Sequence, residues 1–212
     1  MTRFFTSDHH FGHTNILKYE DGLRRNANGG RFQTVEDMDT YLVDQWNATV
    51  SPDDTVYHLG DISYKYATIE QVLPFLNGKI HLIVGNHDPM FKQMLGTREQ
   101  QAEAHGRALE VGFAGLHNKL TLTIPGIGLV QLSHFPYAPS PDAPEEEQRY
   151  LHLRPKRIGE AALLHGHVHS QWLYKQDPGL PPMINLGVEV WGMRPVSEET
   201  LASIFQNKGI AQ

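Results

Sequence analysis

The sequence predicts an α/β fold assembled from βαβ units. Three short apolar runs, at 3–7, 55–59 and 80–84, each lead into a polar cluster with a nearby glycine, and helical patterns separate the runs. Buried strands that alternate with helices are typical of a parallel sheet, and ligands of such sheets bind outside the carboxyl ends of the strands. We therefore expect functional residues directly after these strands.

The composition is that of an ordinary folded protein. The chain has 212 residues, 40% of them hydrophobic and 20% charged, which favours a single domain over residues 1–212. It has no cysteine, so disulfides, thiolate metal sites and cysteine nucleophiles are excluded. Because neither a signal peptide nor a membrane-spanning apolar run is evident, we expect a cytoplasmic protein without a membrane partner.

The charge balance argues against a stable complex with long nucleic acid. Eighteen basic and 24 acidic side chains give a net charge of −6, whereas nucleic-acid binders are usually basic. Two basic clusters oppose this trend, one formed by Arg24, Arg25 and Arg31 and the other lying between Arg149 and Arg157. Charge clusters usually lie on solvated surfaces, and we interpret both in this way.

The first half of the chain contains three predicted helices. Thr34 and Asp37 match a capping box, and the apolar residues that follow recur at helical spacing up to Trp46. A second helix is predicted over 69–76, although Pro74 weakens its last turn. A polar helix is predicted over 98–111.

The second half is predicted to be richer in strands. Residues 118–124 and 129–133 flank a Pro-Gly turn and predict a hairpin, whereas the proline-rich segment 136–147 predicts an irregular loop. Further strands are predicted at 161–164, 172–175 and 183–186. Ser197 is predicted to cap a final helix.

Histidine is unusually frequent, and the positions of the 13 histidines indicate a metal site. Each polar cluster alone has an ordinary structural explanation. Together, however, seven oxygen and imidazole donors fall at or just beyond predicted strand ends: Asp8, His10, Asp61, Asn86, His134, His167 and His169. Donors gathered at one rim of a sheet are suited to a two-metal site, in which a carboxylate bridges cations roughly 3.5–4 Å apart.

These clusters resemble the motifs of the calcineurin-like metallophosphoesterase superfamily. In chain order they are Asp8-His9-His10, Gly60-Asp61, Gly85-Asn86-His87-Asp88, His134 and Gly166-His167-Val168-His169. The opening FTSDHHFGHTNI further resembles small bacterial and phage members. The resemblance implies an αββα sandwich of two mixed sheets flanked by helices, with the metal site at the sheet rim.

The resemblance also implies a ligand set. Asp8, His10 and His169 would bind one metal ion, Asn86, His134 and His167 the second, and Asp61 would bridge the two. Four imidazoles with hard oxygen donors suit manganese, iron, zinc, cobalt or nickel better than magnesium or calcium. We name two divalent transition-metal ions as the cofactors, with manganese favoured.

The implied reaction is hydrolysis of a phosphate ester by a metal-bridging hydroxide. His87 is predicted to contact the phosphate and assist the leaving group, Asp88 to orient His87 and raise its pKa, and Asn86 and His13 to contribute to substrate binding. We expect a small phosphorylated substrate, a nucleotide included, and favour phosphodiesters.

Other functions remain open at this stage. The same site could hydrolyse nucleotide polyphosphates or phosphomonoesters. A non-catalytic metal-binding interaction module is the alternative from another class, although no predicted ligand is missing. The sequence leaves the oligomeric state undecided.

Overall fold

Two five-stranded mixed sheets form the centre of the fold in the computed structural model, which describes residues 1–24, 32–145 and 148–207. The predicted class, two mixed sheets flanked by helices, is confirmed. The prediction of one domain over 1–212 stays a prediction. Part of the first basic cluster, Arg25 and Arg31, lies outside the described residues.

The first sheet has the order β10-β1-β2-β3-β4. Its first four strands in the chain are parallel and β10 is antiparallel to β1. Thr6 pairs with His58 and His58 with Leu82, so these strands end side by side. The strands are β1 (Arg3–Thr6), β2 (Thr55–His58), β3 (Lys79–Ile83), β4 (Gly115–His117) and β10 (Val196–Ser197).

The second sheet has the order β5-β6-β7-β9-β8. Its central strands β6, β7 and β9 are parallel, and the outer strands β5 and β8 are antiparallel to their neighbours. A parallel bridge between Ser7 and Gly187 joins the segments that follow β1 and β9, and so connects the two sheets. The strands are β5 (Lys119–Ile124), β6 (Gly128–Ser133), β7 (Ala162–His165), β8 (Tyr174–Lys175) and β9 (Met183–Asn185).

The described helices are α1 (Ile16–Tyr19), α2 (Asp21–Arg24), α3 (Val35–Asn47), α4 (Tyr66–Val72), α5 (Phe91–Met94), α6 (Arg98–Val111) and α7 (Glu198–Asn207), with 3-10 turns at Leu73–Phe75, Leu151–Leu153 and Val188–Trp191. The predicted capping box begins α3, because the Thr34 hydroxyl accepts from the Asp37 N–H and the Asp37 carboxylate accepts from the Thr34 N–H. None of the described helices is both long and apolar enough to span a bilayer.

The two larger apolar cores among the described residues hold the sheets in place. One lies between the first sheet and α3, α4 and α6, where Met38, Leu42 and Trp46 recur every fourth residue and are fully buried. The other lies between the sheets and includes Phe5, Leu132 and Phe205 of α7. Strands anchored on both sides give the loops at their carboxyl ends a rigid base.

Most predicted elements are present, and one helix is shifted. The predicted helix over 69–76 instead begins at Tyr66 and ends at Val72, and Pro74 falls in the 3-10 turn that follows. Proline cannot donate an interior helical hydrogen bond, which explains the early end. The hairpin and the helix over 98–111 form as predicted, and Ser197 accepts from the Thr200 N–H as the predicted cap.

Candidate metal centre

The loops that follow five strands bring the predicted donors to one rim. Asp8 and His10 follow β1, Asp61 follows β2, Asn86 follows β3, His134 follows β6, and His167 and His169 follow β7. Backbone hydrogen bonds join neighbouring loops: the Asp8 N–H donates to the Gly60 carbonyl and the His10 N–H to the Asp61 carbonyl, both at 3.0 Å. The Gly166 N–H donates in the same way to His134.

The backbone at this rim is strained. Among the described residues, seven that are not glycine have a positive φ, and five of them are predicted metal ligands: Asp8 (60°), His10 (52°), Asp61 (58°), His167 (74°) and His169 (45°). Each such conformation costs on the order of 1–3 kcal/mol, and such strain clusters at functional sites. The surrounding packing therefore stabilises an unusual placement of these side chains.

Two glycines allow the loops to approach closely. A Cβ on Gly85 would lie 2.2 Å from Asp61 Oδ1, and one on Gly166 would lie 2.5 Å from Asp8 Oδ2. Both contacts are far shorter than the 3.4 Å at which ordinary contact begins. The carboxylates of Asp61 and Asp8 can therefore occupy their positions only because residues 85 and 166 are glycines.

The first group of donors comprises Asp8, His10 and His169, whose ligand atoms all lie within 4.8 Å of one another. His169 Nε2 is 3.9 Å from Asp8 Oδ1, and the rings of His10 and His169 stack at 5.1 Å. Both ring nitrogens of His10 are buried without a hydrogen-bond partner in the described part of the chain. Burial lowers the pKa of His10, which favours the neutral imidazole that metals bind. These residues fit a divalent cation.

The second group comprises Asp8, Asp61 and His134. Asp61 Oδ2 lies 3.4 Å from His134 Nε2 and 3.7 Å from His10 Nε2, so this oxygen of the second group also approaches a donor of the first, and Asp8 belongs to both groups. His134 Nδ1 donates to the Leu59 carbonyl at 2.7 Å, so Nε2 is the ring nitrogen that faces Asp61, and it also lies 3.1 Å from Asn86 Oδ1. The two groups therefore form one continuous cluster of buried donors.

Asp8, Asp61 and His134 shift one another's pKa values at the centre. Burial raises the pKa of Asp8 to about 6, with the His169 charge in opposition. Burial would also raise the pKa of Asp61, but His134 and the other imidazoles hold it well below its usual value. For His134, burial favours the neutral ring, yet Asp61 outweighs it and raises the pKa to about 9. A cation bound here would take the place of the His134 proton.

His167 is tied to the centre mainly through its backbone. Its N–H donates to the Asp8 carboxylate at 3.1 Å, and its ring lies 5.2 Å from the His134 ring. The ring of Tyr150 lies 5.8 Å from the ring of His167, and the guanidinium of Arg149 lies over the Tyr150 ring. Arg149 itself is exposed, as predicted for the second basic cluster, whereas Arg154 is buried.

His87 and His13 lie on the solvent side of His10. The His87 N–H donates to Asp61 Oδ1 at 2.8 Å, and the His87 ring is 5.5 Å from the His10 ring. The ring of Tyr64, which sequence analysis did not select, lies 4.6 Å from the rings of both His87 and His13. Burial raises the pKa of Tyr64 to about 12, so its hydroxyl remains a hydrogen-bond donor. These three rings form one wall beside the donors.

Asp88 does not act as predicted. Its carboxylate accepts from the backbone N–H groups of Gly85, Asp61 and Ile62 at 2.8–3.0 Å, and no hydrogen bond within the described ranges joins it to the His87 ring. The pKa of His87 is lowered by burial instead of raised. The prediction was wrong because the turn after β3 points the buried carboxylate at neighbouring backbone, where it ties two loops together.

His9 belongs to the core. Its Nδ1 lies 2.9 Å from His58 Nε2, and its ring stacks on Phe11 at 5.1 Å. Because the Gly60 N–H donates to His58 Nδ1, the proton of His58 is on Nε2 and points at His9. His9 therefore has a packing role and does not face the donors.

Two buried residues beside the centre, Arg24 and Glu189, were not predicted from the sequence. Glu189 Oε1 accepts from His169 Nδ1 at 3.0 Å and pairs with Arg24, a residue predicted to be solvated. Arg24 is instead completely buried. Burial would raise the pKa of Glu189, but Arg24 and His169 outweigh it and lower the pKa to about 2. Arg24 and Glu189 meet only through the tertiary fold, and nothing in the local sequence marks them.

Two phage proteins are similar to this chain over nearly its whole length, although no family model matches the sequence. The gene 66 protein of Mycobacterium phage L5 is 31% identical over 217 residues, covering 96% of this chain and 94% of the relative. The gene 66 protein of Mycobacterium phage D29 is 30% identical over 195 residues, or 89% and 88% of the two chains. The chain belongs to the family of these phage proteins.

A solved structure shares the fold. AQ665 from Aquifex aeolicus, a protein of unknown function, aligns with a TM-score of 0.62 and 22% identity over 96% of this chain and 98% of its own. The similarity shows a common architecture and says nothing about activity.

Proposed function

We propose that this protein is a dinuclear metallophosphoesterase of the calcineurin-like type that hydrolyses phosphodiesters. The position of Asp61 carries the proposal: one carboxylate oxygen lies 3.4 Å from a nitrogen of His134 and 3.7 Å from a nitrogen of His10. A carboxylate between two groups of donors is what a pair of cations roughly 3.5–4 Å apart requires.

The proposed ligands divide between two ions. Asp8, His10 and His169 would hold the first, Asn86, His134 and His167 the second, and Asp61 both. The carboxylates of Asp8 and Asp61 offset only half the charge of two dications, so the rim would attract an anionic ester although the chain carries −6. Nitrogen and oxygen donors suit manganese, which we favour, and also iron, zinc, cobalt or nickel.

Bound divalent cations act as Lewis acids toward the phosphoryl oxygens and lower the pKa of a bound water. The chain adds His87. The hydrogen bond from its backbone N–H to Asp61 holds the residue next to the first group of donors. An anionic phosphate beside the ring would favour the imidazolium and so counter the effect of burial. His87 can then donate a proton to the leaving oxygen, with Tyr64 and His13 as further donors at the same wall.

We propose small phosphodiesters, nucleotides among them, as substrates. The wall formed by Tyr64, His13 and His87 offers aromatic faces and donors to a leaving group. The acidic net charge supports neither a long nucleic acid nor an anionic membrane as a partner. The absence of cysteine suits a reducing compartment, and we propose that the protein acts in the cytoplasm.

The test compares bis(p-nitrophenyl) phosphate with p-nitrophenyl phosphate. Protein stripped by a chelator and reloaded with Mn²⁺ is assayed alongside Asp61→Asn and His10→Gln, with His81→Gln as the matched control. His81 lies on β3 and is not among the donors. We expect metal-dependent diester turnover that the first two variants lose and His81→Gln retains.

Other outcomes would redirect the assignment. Preference for the monoester, or turnover of nucleoside polyphosphates only, would contradict the diester substrate and keep the metal centre. Tight binding of Mn²⁺ with no turnover of any phosphate ester would contradict catalysis and favour a metal-binding interaction module.

A further inference from the structure

We infer that Arg24 and Glu189 are positioning residues: this buried pair holds Asp8 and His169, two proposed ligands of the first metal ion, in the orientation that binding requires. The inference rests on the proposed function. It concerns only the first of the two ions, so the two ideas can fail separately.

Arg24 connects two segments that carry donors. Its Nε and Nη2 donate to Glu189 Oε1 at 2.8 and 2.6 Å, and its Nη1 donates to the His9 carbonyl at 2.7 Å. Nη2 also donates to the carbonyl of Asp8. A guanidinium presents several donors in one rigid plane, so a single side chain can hold a carboxylate and two carbonyls together.

The backbone contacts fall where the chain is strained. Asp8 and His10 have φ values of 60° and 52°. Arg24 binds the carbonyls of Asp8 and His9, which belong to the two successive peptides that link Asp8 to His10. Hydrogen bonds to a charged donor contribute roughly 1.5–3 kcal/mol each, which can offset left-handed conformations of similar cost. Arg24 thereby holds the turn from which Asp8 and His10 project.

Glu189 fixes the ring of His169. Because Oε1 accepts from Nδ1, the ring carries its proton there and its Nε2 lone pair is left for a cation, 3.9 Å from Asp8 Oδ1. Glu189 lies in the 3-10 turn after β9, and the Val188 N–H of that turn donates to Ser7 at 3.1 Å. Such a carboxylate behind a ligating histidine typically accounts for 10–100-fold of metal affinity or activity.

A purely structural pair would have a different signature. Burying an ion pair seldom adds net stability, so folding alone gives little reason for Arg24 and Glu189 to be completely buried. A packing role would weaken the fold and both metal ions together. A positioning role would weaken the first ion more than the second, because Arg24 and Glu189 contact Asp8 and His169, both proposed ligands of the first ion, and make no described hydrogen bond to Asn86, His134 or His167.

The experiment is a calorimetric Mn²⁺ titration of the metal-free protein, with kcat measured across Mn²⁺ concentrations. The variants are Arg24→Lys, Glu189→Gln and the double variant. Arg3→Lys is the matched control, because Arg3 also pairs with a glutamate, Glu198, through Nε at 2.7 Å, and it lies at the start of β1, away from the donors.

We expect two binding events in the wild type and in Arg3→Lys. In Arg24→Lys one event should weaken 10–100-fold while the other changes far less, and saturating Mn²⁺ should restore kcat. The double variant should bind Mn²⁺ no more weakly than Arg24→Lys does, since both changes break the same hydrogen-bond network. If Arg24→Lys does not fold, Glu189→Gln provides the same test, because this nearly isosteric change removes the charge that pairs with Arg24 and leaves His169 Nδ1 only a weaker, neutral acceptor.

Equal weakening of both events, or no weakening in a folded variant, would overturn the positioning role and leave the proposed function intact. A wild type that binds no divalent cation would overturn both. Binding is measured without substrate, so neither result depends on the choice of phosphate ester.

Discussion

The replacement of Gly85 by alanine tests the geometry of the centre with a single methyl group. The new Cβ would lie 2.2 Å from Asp61 Oδ1 and 2.5 Å from the Asp61 backbone nitrogen, so the carboxylate must move by about 1 Å to reach ordinary contact. No positive φ is involved at Gly85, and the effect is therefore steric. The displaced group is the carboxylate that we place between the two cations.

A 1 Å displacement of a catalytic group costs about 100-fold in rate, or about 2.7 kcal/mol of transition-state stabilisation. We therefore expect kcat/KM of Gly85→Ala toward bis(p-nitrophenyl) phosphate to fall about 100-fold or more in Mn²⁺, with weaker metal binding. Gly106→Ala is the control, because Gly106 lies inside α6 and its added Cβ meets nothing within 4 Å.

The same chemical change should have opposite effects at the two glycines. Gly106→Ala should keep full activity and stabilise the protein by roughly 0.5–1 kcal/mol, since alanine loses less backbone freedom in a helix. That gain would raise Tm by about 1–4 °C in a chain of this size. A Gly85→Ala variant that binds Mn²⁺ normally and keeps kcat/KM within about threefold of wild type would refute the placement of Asp61.

Three further predictions concern separate parts of the molecule. His87→Ala should keep its metal, measured by plasma mass spectrometry, and lose about 10²–10⁴-fold in kcat; loss of metal would contradict its role toward the substrate. Burial raises the pKa of Asp39 to about 7, so its contribution to stability is full below pH 4 and is lost as pH rises through 7. Urea unfolding should accordingly show Asp39→Asn more stable than wild type by roughly 1–2 kcal/mol at pH 8, after allowance for partial exposure, and equal to it near pH 4; equal stability at pH 8 would contradict that shift. Thr34→Ala removes the α3 cap and should cost about 1 kcal/mol at unchanged activity, whereas an unchanged Tm would contradict the cap.

The strand-end donors could be found from sequence because their signal is local. Each follows an apolar run directly, and parallel strands that end side by side bring such residues to one rim. The capping box of α3 and the hairpin of β5 and β6 are likewise contained in a few consecutive residues. Patterns of this kind depend on backbone periodicity, which a single sequence displays.

The parts that sequence analysis missed depend on distant contacts or very short elements. The buried pair of Arg24 and Glu189 is formed by residues far apart in the chain, and a charged residue is by default expected on the surface. Strand β10 has two residues and is too short to show a period. The start of α4 at Tyr66 has no capping side chain to mark it, because Lys65 makes no cap hydrogen bond.

The orientation of Asp88 was wrong for a related reason. The sequence shows that a carboxylate follows His87 but not which groups it meets. Three backbone N–H groups from two loops converge on the buried carboxylate of Asp88 and determine its orientation. A motif identifies which residues are near a site, and the hydrogen bonds of the folded loops decide what each one does.

The central claim is that two cations share Asp61, and anomalous diffraction from crystals grown with Mn²⁺ tests it most directly. We expect two anomalous peaks roughly 3.5–4 Å apart, one beside Asp8, His10 and His169 and the other beside Asn86, His134 and His167, with the Asp61 carboxylate between them. A single peak, or peaks that Asp61 does not touch, would contradict it.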